Sequence, residues 1–344
     1  MNKIYHPYNK VHVVMHASCL DGSASGYAAW KHFKESANYY EMHYGNKFPV
    51  QTSGNDHTLY FVDFCLPLKR LLELKQQFKT VQVIDHHKSS YEDFITDLAI
   101  EVVKKYTWFE GLTLTTLAYF ITFLCDVDKV FLRFFCNKVG IDTPIFDMNK
   151  SGALLTWEYF HSDKHTPEFI KYISDRDLWK FEYENTKPAI EGFKLYNRHH
   201  IFEDWDKVCS DEDYLKTILD EGNLIVDYKK SVVNDFVSRK DNYLITYIDN
   251  NKVAIYNTTV HGDEIAEAFY DSSLEIDYTI GYRVTNTGQI KLSFRSHPEY
   301  GTDVIKIAKK YKGGGHEHSS GALLDLKSSF EFLEMINRLS NPVK

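Results

Sequence analysis

The chain has 344 residues, enough for two domains with cores of their own, and its 43% apolar share, with 24 Tyr and 23 Phe, excludes a disordered polypeptide. A formal net charge of −8 argues against a protein that coats long nucleic acid, because counterion-release binding needs a basic surface; a short phosphorylated substrate held by a few local cations is still allowed. Five scattered cysteines with no CxxC pair suggest reduced thiols, and the amino terminus lacks an apolar segment of the secretory kind, so a cytoplasmic protein with no membrane partner is expected.

Residues 11–34 read as strand, turn and helix. Val11-His12-Val13-Val14-Met15 runs into His16, and Ala17-Ser18-Cys19-Leu20-Asp21-Gly22 leads to a helix of small residues from Ser23 to Trp30. Gly22 allows a tight turn, and Ala24, Gly26 and Ala28 let the helix pack closely on a sheet. A second apolar run, Leu59-Tyr60-Phe61-Val62, ends in Asp63. A short amphipathic helix, Lys69 to Phe78, then carries the chain to a third run, Val81-Gln82-Val83-Ile84, which ends in Asp85-His86-His87. Strand, helix, strand at this spacing predicts a parallel sheet with right-handed crossovers.

A single histidine at a strand end is as readily structural as functional. Three runs that deliver acid or imidazole to the same end of a sheet imply one shared site, because open α/β sheets bind ligands outside the carboxyl ends of their strands. Carboxylate oxygen and imidazole nitrogen together are the donors a divalent transition ion takes.

Between about 100 and 150 the pattern turns helical and aromatic, with Phe109, Tyr119, Phe120, Phe123, Phe131, Phe134 and Phe135. Such a stripe reads as core or subunit interface, which is compatible with a homodimer, rather than as a cofactor box. Its uncharged run, Gly111 to Cys125, is shorter than the roughly 20 residues a bilayer span requires. A further helix starts at Ser151, and Ser174-Asp175-Arg176-Asp177 adds an acid pair among apolar neighbours. Residues 204–238 read as helices joining two domains.

Strands are expected at 243–248, 252–256, 278–284 and 290–296, with a helix around 265–269 and a hairpin loop, Thr285-Asn286-Thr287-Gly288-Gln289, in which Asn286 and Gly288 can best take positive φ. After a helix at 302–311 comes Lys312-Gly313-Gly314-Gly315-His316, whose glycines can cup a phosphate or carboxylate with backbone N–H groups.

In this order, His16…Asp21-Gly22, Asp63, Asp85-His86-His87, Ser174-Asp175-Arg176-Asp177, Arg295 and Gly313-Gly314-Gly315-His316…Gly321 resemble the motifs of the DHH phosphoesterase superfamily with its DHH-associated carboxyl-terminal domain. Within it the chain looks most like the nanoRNase, or oligoribonuclease, type, and the resemblance covers nearly everything except about 100–145. It implies an α/β fold with a parallel-sheet catalytic domain over 1–200, interrupted by the helical insertion. Connecting helices over 201–238 and a smaller α/β substrate-binding domain over 239–344 would follow, with the active site in the cleft between the domains. It also implies two divalent ions, Mn2+ first, with Mg2+, Co2+, Fe or Zn as alternatives.

Carried over by matching motif, Asp63 bridges both ions, His16 serves the first, and Asp21, His86 and Asp175 join Asp63 around the second. His87 touches the scissile phosphate, Asp85 orients the histidines, and Arg295, Gly313, Gly314, Gly315 and His316 hold the non-scissile phosphate or terminal nucleotide. One position departs from the pattern: Cys19 or Ser18 stands where many members carry a first aspartate, and a thiolate there would favour a softer metal.

The expected activity is metal-dependent hydrolysis of very short oligonucleotides, 3′-phosphoadenosine 5′-phosphate, or linear or cyclic dinucleotides to mononucleotides, without tracking along long strands. The alternatives are a catalytically silent nucleotide-binding module and a pyrophosphatase-like hydrolase.

Overall fold

The computed structural model describes residues 6–105, 114–195 and 201–341, which include all of the expected site except the side chain of His316. The chain forms two compact units, Met1–Asn223 and Leu224–Lys344.

The first unit contains β1 (Val11–His16), α1 (Leu20–Phe33), β2 (Ala37–Met42), β3 (Gly54–Val62), α2 (Leu68–Lys75), β4 (Phe78–Asp85), α3 (Lys88–Lys105), α4 (Leu114–Val127), α5 (Lys129–Val139), β5 (Ile145–Phe146), α6 (Gly152–Phe160), α7 (Glu168–Asp177), α8 (Thr186–Lys194) and α9 (Phe202–Ser210), and the start of α10 (Glu212–Ser238). Its five strands are all parallel in the order β2-β1-β3-β4-β5. Side chains alternate across a strand, so neighbours serve opposite cores: Val14, Phe61 and Val83 pack on one face with α2 and α3, and Val13, Val62 and Ile84 on the other with α1, α6 and α7. In this strand order the chain reverses its direction of travel between β1 and β3, and the carboxyl ends there form the crevice where doubly wound sheets bind ligands.

The aromatic stripe is not the core of the helical insertion. Ile121, Cys125, Leu132 and Cys136 are buried, whereas Tyr119, Phe120, Phe123, Phe131 and Phe134 are exposed and Phe135 is only partly covered. Phe109 lies outside the described residues. All five cysteines are unpaired, and among the described residues no helix is long and apolar enough to cross a membrane.

The second unit holds the end of α10 and then β6 (Tyr243–Ile248), β7 (Asn251–Asn257), α11 (Gly262–Tyr270), β8 (Tyr278–Val284), β9 (Ile290–Arg295), α12 (Val304–Lys310), β10 (Gly314–His316), β11 (Ser319–Leu323) and α13 (Leu326–Ser340). Its sheet has the order β10-β11-β9-β8-β7-β6; only the β7–β8 pair is parallel. In the β8–β9 hairpin the left-handed residue is Gly288, with φ +80°, and Asn286 is not needed for it. The chain is thus an α/β protein with a parallel five-stranded sheet and a second, mixed six-stranded sheet.

Candidate metal centre

The carboxyl ends of β1, β3 and β4 present His16, Asp63 and Asp85-His86-His87 side by side. Asp63, the first residue after β3, has φ +53°, a left-handed conformation that costs a non-glycine residue roughly 1–3 kcal/mol and gathers at functional sites. Its N–H donates to the Ile84 carbonyl at 2.9 Å, which fixes the turn, and its carboxylate is buried.

Around that carboxylate lie two groups of three ligand-type side chains. His16, Asp63 and His87 form one, and Asp21, Asp63 and His86 the other, with the ligand atoms of each group all within 4.8 Å of one another. Asp63 belongs to both. Its Oδ2 is 3.6 Å from His16 Nδ1, and its Oδ1 is 3.2 Å from His86 Nε2 and 3.8 Å from His87 Nδ1. Neither Asp63 oxygen has an aligned hydrogen bond, and His16 Nδ1 has none either. Buried polar atoms left in this way are uncommon in a folded protein and mark a place for an unseen partner. Oxygen and imidazole donors around a shared carboxylate fit two divalent transition ions.

The electrostatics agree. Burial, then Asp177 and Asp63, push the Asp21 carboxyl well above the usual range, and burial likewise raises Asp177. Burial also opposes the charge on Asp63, but the imidazoles of His16 and His86 overcome it and hold that carboxyl down to about 2. His86 is the counterpart: burial disfavours its charge, yet Asp63, Asp21 and Asp177 pull it up to about 10. The metal-free cluster keeps a proton on His86 as its cation, so a metal that takes Nε2 must displace it, and binding releases protons.

Asp21, in the first turn of α1, also accepts the N–H groups of Gly152 and Ala153 at 2.6 and 3.0 Å, tying the start of α6 to the site. Gly152 has to be glycine: a Cβ there would lie 2.5 Å from Asp63 Cβ and 2.9 Å from Asp21 Oδ2. Gly22 is required for a similar reason, since its Cβ would meet the His16 carbonyl oxygen at 2.3 Å. Asp85 Oδ1 accepts the His86 N–H at 2.8 Å and lies 2.7 Å from His87 Nδ1, so one buried carboxylate sets both the loop and the His87 ring. Burial works against a charge on His87, but Asp85 outweighs it and raises its pKa. The Tyr44 ring, which the sequence reading did not single out, rests edge-on against His16 and stacks on Phe64.

Asp175 is not brought to the cluster. Its carboxylate accepts the N–H groups of Glu182 and Tyr183 at 2.9 and 3.2 Å and the Thr186 hydroxyl at 2.5 Å, which ties down the loop after α7. The acid that faces His86 is Asp177, with Oδ2 3.4 Å from Nε2. Two residues along a helix is a turn of about 200°, so only one of these acids can face the site, a signal present in the sequence. Cys19 stands at the N-cap of α1 and is in neither group. Burial first, then Asp63 and Asp21, push its thiol up to about 12.

The residues expected to hold substrate share one end of the second sheet, where Thr279, Arg295, Ser319 and His316 are successive register partners. The glycine run is a strand rather than an open cup. A Cβ on Gly313 would strike the Gly321 carbonyl at 2.2 Å, and Gly315, at φ +142°, lies against β11, so only Gly314 borders open space. The Arg295 guanidinium donates to Asp263 at 2.9 Å from both Nε and Nη2, and Nη1 donates to the Phe294 carbonyl at 2.9 Å.

No protein-family model matches the chain. It is 26% identical over 335 residues to the uncharacterized protein R106 of Acanthamoeba polyphaga mimivirus, an alignment that covers 90% of this chain and 66% of that protein, so the chain spans just under two thirds of its relative. Among solved structures, the fold is similar to that of a pGpG-specific phosphodiesterase of Vibrio cholerae. The TM-score is 0.51 at 12% identity, with 96% of this chain and 99% of that one covered. An exopolyphosphatase-related protein of Bacteroides fragilis aligns at 14% identity over 96% of this chain and 93% of its own, with a TM-score of 0.48.

Proposed function

We propose that the chain is a metal-dependent phosphodiesterase of the DHH type that hydrolyses very short oligonucleotides or related small nucleotides to mononucleotides. The observation that carries this reading is the buried Asp63 carboxylate, common to two groups of ligand side chains and without an aligned hydrogen bond on either oxygen. Two divalent ions, Mn2+ first, supply the Lewis acidity that yields a nucleophilic water at neutral pH and offsets charge on the phosphoryl oxygens. The chain supplies the rest. Asp63 holds the two groups at one spacing, His16 and His87 complete one and Asp21 and His86 the other, and Asp177 faces His86 from beside the second. Asp85 holds His87 through Nδ1, and the protonated ring donates from Nε2 to a phosphoryl oxygen. No side chain has to act as a nucleophile. The Arg295 and Gly313–His316 end of the second sheet is a proposed contact for a phosphate or terminal nucleotide. A fold shared with a pGpG-specific phosphodiesterase makes a linear dinucleotide the first substrate to try.

The test is a panel with Mn2+: a linear dinucleotide, a five-nucleotide RNA, 3′-phosphoadenosine 5′-phosphate, cyclic di-AMP and pyrophosphate. The wild type should release mononucleotide from at least one diester, and Asp63→Asn should lower kcat by about a thousandfold or more while binding fewer than two Mn2+ per chain. Hydrolysis of pyrophosphate alone would move the chain to the pyrophosphatase reading, and no turnover of any substrate would leave a nucleotide-binding module.

A further inference from the structure

Arg283 on β8 and Lys291 on β9 are directly opposite each other in an antiparallel pair, and both are exposed. Like charges so placed repel and weaken the strand pair. Among the described residues neither has an acidic partner. The neighbouring acids are already committed: Asp263 is paired with Arg295 at 2.9 Å and Glu264 with Lys229 at 2.8 Å.

Both cations line a cavity of about 270 Å3 within the second unit, between the β8–β9 strands and the 258–264 segment. Its floor is low because Gly281 and Ser293 are register partners, and a side chain at Gly281 would press on the Tyr256 ring at 3.1 Å. Thr259 and Ser293 add hydroxyl groups to the wall. The result is a concave, polar space whose uncommitted charge is positive, just below the range for cavities that hold drug-sized ligands, about 300–1,000 Å3.

We propose that this cavity binds a phosphate group, with Arg283 and Lys291 as its counter-charges, and that the phosphate is carried by a nucleotide. Its bearer rests on the phosphodiesterase reading; the anion site itself does not. A phosphate between the two side chains turns a repulsive pair into two charge-assisted contacts, with Arg283 able to bind two oxygens at once. The space accommodates a phosphate and its sugar rather than a run of nucleotides. Arg295 is engaged by Asp263, which lines the cavity, and the anion is held four register pairs further along the sheet.

Calorimetric titration of the full chain in chelator, with no metal and no turnover, tests this with adenosine 5′-monophosphate, orthophosphate and adenosine as probes. The wild type should bind the monophosphate and not adenosine, and Arg283→Ala/Lys291→Ala should weaken that binding by about tenfold or more. Arg283→Lys keeps the charge but loses the second contact, so its affinity should fall between those of the wild type and the double variant, and His86→Ala should retain all of it. The double alanine variant should melt at or above the wild-type temperature, because a repulsion has been relieved. Orthophosphate binding as tightly as the monophosphate would keep the anion site and overturn the nucleotide as its bearer. Equal monophosphate affinity in the wild type and the double alanine variant, loss of affinity in His86→Ala instead, or no binding of any anion would overturn the site. Failure of the whole hydrolysis panel with this binding intact removes only the phosphodiesterase reading; hydrolysis with KM and monophosphate affinity unchanged in the double variant removes only this one.

Discussion

Asp175 and Asp177 lie two residues apart at the end of α7 and serve different ends: Asp175 binds the loop at Glu182, Tyr183 and Thr186, and Asp177 faces His86 across 3.4 Å. Asp177→Asn should therefore weaken Mn2+ binding by roughly 10–100-fold with the melting temperature little changed. Asp175→Asn should cost roughly 1–3 kcal/mol of stability, because buried donors lose a charged acceptor, while the folded protein binds Mn2+ as before. Manganese titration and thermal unfolding of the two variants decide it, and the opposite pattern would return Asp175 to the metal.

Gly152 sits where the start of α6 touches both Asp21 and Asp63, so Gly152→Ala places a methyl 2.5 Å from Asp63 Cβ and 2.9 Å from its Cα. Neither contact can be relieved by rotating a side chain. We expect a loss of about 1–3 kcal/mol from overpacking, together with weaker Mn2+ binding because Asp63 and Asp21 are displaced. Normal metal affinity in a normally stable variant would show that α6 does not set the site.

How far the sequence could be read follows from which residues carry a local signal. Apolar runs ending in His16, Asp63 and Asp85-His86-His87 were legible as strands converging on one site because burial on both faces and a polar terminus are both local features. The strand Ala37–Met42 was not legible; Asn38 and Glu41 interrupt its apolar pattern, and it is defined by pairing with β1. The spacing of Asp175 and Asp177 shows that only one can face the site, but that it is Asp177, and that Gly152 touches Asp63, follows from contacts across the fold. The glycine run reads as a cup for an anion because glycine exposes backbone N–H groups, whereas Gly313 and Gly315 are required by the closeness of β11.

Cys19 provides a chemical test of the first group. Burial, then Asp63 and Asp21, push its thiol up to about 12, so the metal-free protein holds it as the neutral thiol at pH 8. Alkylation there should be far slower than for a free cysteine, and Cys19→Ser should keep both Mn2+ sites and activity within about twofold. Rapid alkylation that Mn2+ suppresses, with one ion lost in the serine variant, would make the thiol a ligand after all.

The opposite end of the sheet predicts an acid sensitivity separate from catalysis. His12 is fully buried, with Nε2 3.0 Å from His57 Nδ1 and Nδ1 3.4 Å from the Tyr40 hydroxyl. Burial, and next the nearby His57, lower its pKa from 6.5 to about 4. A folded-state value below the unfolded one means the unfolded chain binds more protons between those limits, so stability rises with pH across the window. The contribution is complete above about 6.5 and is lost as pH falls toward 4, by about 3 kcal/mol over the whole range. Replacing His12 by an apolar residue of similar size removes this proton uptake. Denaturation midpoints of wild type and His12→Leu, measured from pH 7.5 down to 4.5, should therefore converge or cross as the wild type loses stability faster. Parallel curves across that range would mean that His12 is protonated in the folded protein without penalty, with His57 and Tyr40 accommodating the charge.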